Sequence, residues 1–404
     1  MKTLSILKQR NYQLYFSGQV VSLTGSWVQN VAITWLVYEW TKSSTWVGAF
    51  TFASQIPSFL VSSIAGVLSD RTSRRKLFMA SQWAGAIQAL AMSLAFISGS
   101  KSLPLYMALT VILGCITGFE LTARFGLVVD LGKRQDWSSA ISLNSAMVQG
   151  TRMLGPAIAG ILLYNGQALA CFLFNVISYG PVIYALSKTV VDEKPKKVAQ
   201  GESFFEAFGH SIQYAWSHIK IRRILAVAVL LSAVGAAMNV LLPEISSVRL
   251  SGDARTFSWL TSASALGAAT GSLYVALWDG PKMGLRSLTL RILAGLGTIL
   301  TIFAFSKSFA VALASIAVFG FFSMQLWPTL NHAIQSTTDE AFRGRVTALW
   351  NMTFMGMTPL ASLLIGWASD HSSPELVLLV SGTGTFLFVI GIFLAPSLSK
   401  PARP

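Results

Sequence analysis

The chain alternates long apolar stretches with short polar ones. The apolar stretches lack the every-second-residue alternation of barrel strands, and each is about as long as the ~20 residues that a helix needs to cross a bilayer. The pattern therefore predicts twelve membrane-spanning helices, at residues 12–38, 46–68, 77–98, 104–125, 140–164, 168–188, 224–246, 257–278, 287–306, 309–332, 346–369 and 374–396.

The longest polar stretch lies at residues 188–223 and divides the predicted helices six and six. We therefore expect an N-terminal six-helix bundle over 1–188, a cytoplasmic linker over 189–223 and a C-terminal six-helix bundle over 224–404. Such halves are typical of transporters built from structural repeats, whose binding site lies near the bilayer midplane. The expected fold is all-α, with two pseudo-symmetric bundles.

Composition agrees with a membrane protein. Of 404 residues, 53% are hydrophobic and only 11% are charged, and the mean hydropathy is +0.59. Soluble domains carry roughly a quarter charged residues, so the composition excludes a soluble enzyme, a disordered scaffold and a nucleic-acid binder. No apolar stretch with a cleavage site precedes the first helix, so no removable signal peptide is expected.

The basic residues orient the predicted helices. Of thirty Lys and Arg, 24 fall on the side that holds both termini, and Arg152 lies within a span. The opposite side holds Lys42, Lys101, Arg249, Arg255 and Lys307. By the positive-inside rule both termini are cytoplasmic. The net charge of +14 then belongs to the inner membrane face, where anionic lipid attracts it.

The connection between helices 2 and 3 carries the most specific motif, Gly66-Val-Leu-Ser-Asp70-Arg71-Thr-Ser-Arg74-Arg75-Lys76. It resembles the major facilitator superfamily, whose connection at this place has a glycine, Asp-Arg and a basic pair. Ser73 stands where that pattern usually has Gly. The resemblance implies a conformational latch formed by Gly66, Asp70, Arg71, Arg74, Arg75 and Arg124.

Further segments extend the resemblance along nearly the whole chain. They are Gly25-Ser-Trp27-Val-Gln29-Asn30, Leu143-Asn144-Ser145, Arg152-Met-Leu-Gly155-Pro156 and Arg343-Gly344-Arg345-Val346. They are similar to a bacterial branch that includes enterobactin-type siderophore exporters and related efflux proteins. The resemblance implies a monomeric transporter of the bacterial inner membrane that works by alternating access.

Helix 5 combines small residues with a proline, at Gly150, Gly155, Pro156 and Gly160. Such a helix can pack closely and bend. The pattern resembles the glycine-proline motif in the fifth span of facilitator antiporters, and it implies antiport. A close-packed, kinked helix with no coupling role explains the same residues.

Charges inside the membrane are costly unless they are paired or face a cavity. Arg152 falls near the middle of helix 5, and Glu120 in the inner half of helix 4 with Arg124 one turn beyond. One hypothesis pairs Glu120 with Arg152 in a central cavity, where Glu120 is the candidate proton carrier. The alternative is a structural network that joins Glu120, Arg124 and Asp70.

Amides and aromatic residues within spans are the other cavity candidates. Facilitator-like proteins place helices 1, 4, 7 and 10 around the cavity, which favours Gln29, Asn30, Asn239 and Gln325. Asn351 on helix 11 and the indole of Trp327 complete the expected cavity. For each amide, an interhelical hydrogen bond is an equally good explanation.

No motif supports enzyme chemistry, a metal centre or a cofactor. The four histidines are not spaced as zinc ligands, and no GxxxxGK[ST] segment could bind ATP phosphates. The sequence therefore predicts an exporter of a small amphipathic molecule, a siderophore or a drug-like compound, that exchanges it for protons. A lysophospholipid facilitator or flippase of the same fold is the alternative, and membrane lipid is the other expected partner.

Overall fold

The structure, a computed structural model, describes residues 6, 9–131, 136–164, 167–189, 213–277, 285–340 and 342–394. Within these ranges the chain forms twelve long helices, and each predicted segment falls on one of them. They are α1 (Arg10–Thr41), α2 (Ser44–Arg71), α3 (Arg74–Ile97), α4 (Leu103–Leu131), α5 (Trp137–Tyr164), α6 (Ala168–Lys188), α7 (Ile219–Glu244), α8 (Ala254–Leu277), α9 (Leu285–Phe305), α10 (Phe309–Thr337), α11 (Arg343–Asp370) and α12 (Pro374–Leu394).

Ten of these helices are long and apolar enough over their described residues to cross a membrane. The other two, α2 and α8, have 28 and 24 residues and are therefore long enough. The prediction of twelve spans is thus matched in helix number by the described part of the chain.

The chain forms two compact units. The first comprises 1–200 and 246–262, and the second comprises 201–245 and 263–404. The sequence pattern does not suggest that 246–262 belongs with the first six helices. This segment includes the end of a five-residue π-helix, Ile245–Arg249, which directly continues α7.

Aromatic and small residues hold 246–262 within the first unit. The ring of Phe257 stacks on that of Trp35, with centroids 5.8 Å apart and an interplanar angle of 25°. On α5, Gly160 lies against Ser258, so that a Cβ at position 160 would come within 2.7 Å of the Ser258 Cβ. Gly160 is therefore a site of close packing, as the sequence predicts.

In the first unit, α1 packs against α5 and α6, α3 packs against α4 and α6, and α2 packs against α4. A core of fully buried aromatic and aliphatic side chains joins α1, α3, α4 and α6, and it includes Tyr12, Tyr15, Phe78, Leu127 and Leu186. Tyr12 and Tyr15 also hydrogen-bond to α5, through the Ala140 carbonyl and the Asn144 side chain.

The second unit repeats much of this packing. There α7 packs against α11, and α9 packs against α10 and α12. These pairs correspond to α1–α5, α3–α4 and α3–α6 when each helix number is raised by six. The two units therefore have these three helix pairings in common.

Glycines bring equivalent helices together in both units. In the first, a Cβ at Gly114 or Gly118 of α4 would lie 2.5 Å from the Ser54 carbonyl oxygen or 2.8 Å from that of Ser58 on α2. In the second, Cβ atoms on Gly267 and Gly271 of α8 would overlap backbone carbonyls of α10, at Ala317 and Phe321. The crossings α2–α4 and α8–α10 thus require residues without side chains.

Candidate functional site

The connection between α2 and α3 is held to the first unit by its arginines. Ser73 caps α3, because its hydroxyl accepts the Lys76 N–H at 3.1 Å. Arg75 donates to the Leu186 and Ser187 carbonyls at the end of α6, at 2.8 and 3.2 Å. A glycine at position 73 could not supply this cap, so the departure from the family pattern has a structural role.

Arg74 binds Asp130, near the end of α4. Its terminal nitrogen lies 3.0 and 3.2 Å from the two carboxylate oxygens. The side chains of Asp70 and Arg71 lie outside the described part, and their latch role stays a prediction. Among the described residues, no atom lies within 4 Å of the position that a Cβ on Gly66 would take, so these residues do not require a glycine there. Its latch role also stays a prediction.

Glu120 binds within its own unit. Its Oε1 lies 3.5 Å from an Arg124 terminal nitrogen and accepts the Gln19 side-chain N–H at 3.2 Å. Both members of the ion pair are mostly buried, with side-chain exposures of 15% for Glu120 and 7% for Arg124. Helix geometry explains the pair, since residues four apart are neighbours on one face.

Arg152 does not pair with Glu120. Its guanidinium carbon lies 5.6 Å from the centroid of the Trp27 ring, a cation–π contact. In the part of the chain that the structure describes, no hydrogen bond or ion pair reaches this side chain. The hypothesis of a Glu120–Arg152 pair is therefore wrong. Glu120 instead forms its ion pair with Arg124, one turn further along the same helix.

Gln29 lies in a buried amide network rather than in a cavity wall. It is 1% exposed. Its N–H donates to Gln88 at 3.1 Å, and its carbonyl oxygen accepts the Asn175 N–H at 2.9 Å. Gln88 in turn donates to the Leu109 carbonyl. The network ties α1 to α3, α4 and α6, and it satisfies amides that hydrocarbon would penalise.

The remaining amide candidates have different settings. Asn30 and Asn239 are exposed on their own units. An exposed amide within a spanning helix is expected to face water rather than lipid. Gln325 is 6% exposed, and its side-chain nitrogen is buried without a hydrogen-bond partner among the described residues.

The second unit contains a cavity of about 540 Å³ between α10 and α11. Its wall consists of Met324, Trp327, Pro328, Asn331, His332, Gln335, Trp350 and Asn351. The two indoles meet edge to face, with centroids 5.4 Å apart. Two aromatic rings beside three amides and an imidazole suit a molecule that has both an apolar and a polar part.

Two of the residues predicted from sequence, Trp327 and Asn351, thus line one cavity. Sequence reasoning also considered Asn331 as a polar residue of helix 10, but it missed His332 and Gln335 as members of the site. A signal was present, because the α10 members follow Met324 at intervals of 3, 4, 7, 8 and 11 residues and so share one face of that helix.

The motif residues of α5 divide by their contacts. A Cβ at Gly155 would overlap the Trp27 Cβ, so this glycine brings α5 against α1. Pro156 lies inside the continuous helix. Among the described residues, no atom lies within 4 Å of the position that a Cβ on Gly150 would take, so close packing against them does not account for this glycine. Among the described residues, no group of three or more His, Cys, Asp or Glu could hold a metal ion.

Comparison with known proteins adds relatives over almost the full length. The model of the transmembrane secretion effector family matches residues 1–400. The chain is 23% identical to the staphyloferrin A transporter of Staphylococcus aureus, over 88% of this chain and 89% of the relative. It is 24% identical to the multidrug efflux pump Tap of Mycolicibacterium fortuitum, over 92% of both.

A third relative is the enterobactin exporter EntS of Shigella boydii, with 23% identity over 97% of this chain and 92% of the relative. Among solved structures, the nucleoside transporter NupG superposes with a TM-score of 0.78. That match covers 96% of this chain and 99% of NupG at 12% identity, so it speaks for the fold alone.

Proposed function

Because the chain belongs to the transmembrane secretion effector family, within the major facilitator superfamily, we propose that its cargo is a siderophore or a drug-like amphipathic compound. The chain is a multi-pass membrane transporter that exports small molecules, and it is not an enzyme. Its relatives include a transporter named for staphyloferrin A, an exporter named for enterobactin and a pump named for multidrug efflux, which supports this range of cargo.

The cavity between α10 and α11 is the structural observation that carries the proposal. Its volume of about 540 Å³ falls within the range of ~300–1,000 Å³ for small-molecule sites. Trp327 and Trp350 offer flat apolar surface, whereas Asn331, His332 and Asn351 offer hydrogen-bonding groups. A catechol or another aryl compound with polar substituents has both kinds of surface.

The proposed mechanism is alternating access driven by proton antiport. The six-helix halves rock about the binding site and open it to each side of the membrane in turn. Glu120 is the proposed proton carrier, since it is a carboxylate within a spanning helix and can release its proton while Arg124 and Gln19 stabilise its charge. In this proposal Arg74, Arg75 and Arg124 help to stabilise one of the two states.

The proposed setting is the bacterial inner membrane with both termini in the cytoplasm. The excess of Lys and Arg on one side of the predicted spans supports that orientation. The same basic face would attract anionic lipid headgroups.

The test compares a strain that lacks this chain with its parent, each grown with and without iron. Untargeted mass spectrometry of the medium and of the cells measures which compounds depend on the chain. We expect a metal-chelating or drug-like compound that is missing outside the mutant and accumulates inside it. Plasmid-borne wild-type protein should restore its export.

A further strain expresses the chain with both Trp327→Ala and Asn351→Ala in the cavity, in place of the wild-type protein. Export should fall while the amount of protein in the membrane stays at the wild-type level. Unchanged metabolites and unchanged drug sensitivity in the deletion strain would contradict the proposal. Transfer of lysophospholipid between the leaflets of vesicles containing the purified chain would instead support a lipid facilitator.

A further inference from the structure

Arg152 lies deeper in the membrane than other charged residues of the first unit. Its spanning segment runs over Ser139–Leu163, which places Arg152 thirteen residues from one end and eleven from the other. At ~1.5 Å per residue, both ends are roughly 16 Å or more away. Among the ten described spans, no other Asp, Glu, Lys or Arg lies that far from both ends.

The immediate surroundings of Arg152 are aromatic rather than acidic. Its guanidinium lies over the Trp27 ring. Gly155 allows α5 to approach Trp27, because a Cβ at this position would overlap the Trp27 Cβ. The side chain is partly exposed. An indole attracts a cation but carries no charge that could neutralise it.

The described acidic residues within spans have other settings. Glu120 is paired with Arg124 and accepts a hydrogen bond from Gln19. Glu39 lies two residues from the end of α1. Glu244 lies at the end of α7 and accepts a hydrogen bond from Ser369 at 2.9 Å. One positive charge at the centre of α5 is therefore left without a countercharge among the described residues.

A guanidinium keeps its charge at any physiological pH, so it cannot escape this position by losing a proton. A charge at such depth normally pairs with an opposite charge or faces a water-filled cavity. Its planar fork matches a carboxylate, with which it forms two parallel hydrogen bonds. The Trp27 ring lies within cation–π distance of the guanidinium but leaves its hydrogen-bonding groups available to such a partner.

We infer that the countercharge of Arg152 is supplied by the cargo, which is an organic anion bearing a carboxylate. Arg152 binds the two carboxylate oxygens, and Trp27 orients the guanidinium from below. This inference rests on the proposed export function and narrows its substrate class from amphipathic molecules in general to carboxylates. A neutral or cationic compound would leave Arg152 uncompensated.

Binding to the purified chain in lipid nanodiscs tests this assignment by calorimetry. The probes are biphenylcarboxylate, its methyl ester and its aminoethyl amide, which are anionic, neutral and cationic at neutral pH. The wild-type protein should bind the acid about ten- to a hundredfold more tightly than the ester, as expected for a hydrogen bond to a charged group. The amide should bind most weakly.

Three variants accompany the wild type. Arg152→Met keeps an apolar chain over Trp27 and should lose the preference for the acid. Arg152→Lys keeps the positive charge but lacks the planar guanidinium, so it should retain part of the preference for the acid. Arg255→Met, at the exposed start of α8, is the matched control and should leave the preference unchanged. Gel filtration verifies that each variant folds. If Arg152→Met does not fold, Arg152→Lys provides the test of the anion preference.

Acid that binds no more tightly than its ester, or does not bind, would overturn the inference. An equal preference in wild type and Arg152→Met would do the same. Gradient-driven uptake into everted vesicles is measured separately. Anion-selective binding without uptake would contradict the proposed export function and support the anion site. Uptake of the ester that is unaffected by Arg152→Met would support export and contradict the anion site.

Discussion

Arg74 and Asp130 join the start of α3 to the end of α4 by an ion pair with nitrogen–oxygen distances of 3.0 and 3.2 Å. Both side chains are mostly buried, with exposures of 15% and 23%. The pair lies beside the hydrogen bonds from Arg75 to the end of α6. The two arginines therefore join α3 to its neighbours by different interactions. Arg74 forms an ion pair with α4, whereas Arg75 donates hydrogen bonds to backbone carbonyls of α6.

This difference predicts the outcome of a double-mutant cycle. Arg74→Gln and Asp130→Asn should each destabilise the protein, and their combination should cost less than the sum by about 1 kcal/mol, because either change removes the same pair. Thermal unfolding in detergent measures the coupling. Arg75→Gln combined with Asp130→Asn is the control and should be additive. Additivity for Arg74 and Asp130 would contradict a contribution of the pair to stability.

The close crossing of α2 and α4 predicts unequal effects of alanine at two glycines. Gly118→Ala would place its Cβ 2.8 Å from the Ser58 carbonyl oxygen, so the helices must move apart, at a cost of about 1–3 kcal/mol. The Cβ of Gly150→Ala meets no atom of the described part of the chain within 4 Å, so this variant should leave the melting temperature unchanged. Equal melting temperatures for the two variants would show that the crossing can relax.

Gly150 also offers a test of the antiport motif. If the glycine serves a change of helix geometry during transport, Gly150→Ala should slow uptake into everted vesicles while folding stays intact. The measurement is the initial uptake rate per transporter, compared with that of Gly235→Ala, another glycine with open space beside it. Equal rates in both variants would leave Gly150 without a role in coupling.

The proposed proton carrier predicts a specific loss in Glu120→Gln. Glutamine keeps the shape of the side chain but cannot bind and release a proton, so a pH gradient should no longer drive uptake. Exchange of labelled for unlabelled cargo at equal pH should continue, because it needs no net proton transfer. Glu39→Gln, near the end of α1, is the control. A preserved response to the pH gradient in Glu120→Gln would exclude this carboxylate as the carrier.

The cavity predicts a loss of affinity without a loss of folding. Trp327→Ala should weaken cargo binding about fivefold or more, since truncation of a large aromatic side chain in a binding site commonly costs about 1 kcal/mol or more. His332→Gln should have a smaller effect, because glutamine retains hydrogen-bonding groups. Titration of the cargo identified in the medium gives both values.

The matched control for the cavity is Trp83→Ala. Trp83 lies on α3 with 54% of its surface exposed, away from the residues that line the cavity. Its variant should bind cargo as the wild type does. Equal affinity in Trp327→Ala would show that the cargo does not contact that indole.

The fold could be predicted closely because a bilayer imposes a minimum helix length on each apolar stretch. The predicted segment 168–188 coincides with α6, and others differ by a few residues at helix ends. Turns of α1 and α7 that extend beyond the prediction contain charged or polar residues, such as Arg10 and Lys220. Helices continue into such residues where the neighbouring helices still provide contacts.

The site could be predicted only in part, because hydrogen-bond partners are distant in sequence. The Gln29 side-chain amide forms hydrogen bonds with those of Gln88 and Asn175, which lie 59 and 146 residues away in the sequence. Nothing in its local sequence distinguishes such an amide from one that lines a cavity. Trp327 and Asn351 were found because their residue types carry chemistry, whereas His332 required recognition of the shared face of α10.

The glycine-mediated crossings of α2 with α4 and of α8 with α10 bear on how the chain enters the membrane. Helices are synthesised in order, so α2 and α8 leave the ribosome before the helices that they cross. Each packs against a helix made later, since α4 begins 59 residues after α2 (Ser44 to Leu103) and α10 begins 55 residues after α8 (Ala254 to Phe309).

At ~5–20 residues per second, the ribosome needs roughly 3–12 s to supply each of these partners. Until then, the close crossings of α2 with α4 and of α8 with α10 cannot form. The two crossings are therefore expected to form at separate times during synthesis, the first when α4 emerges and the second when α10 does.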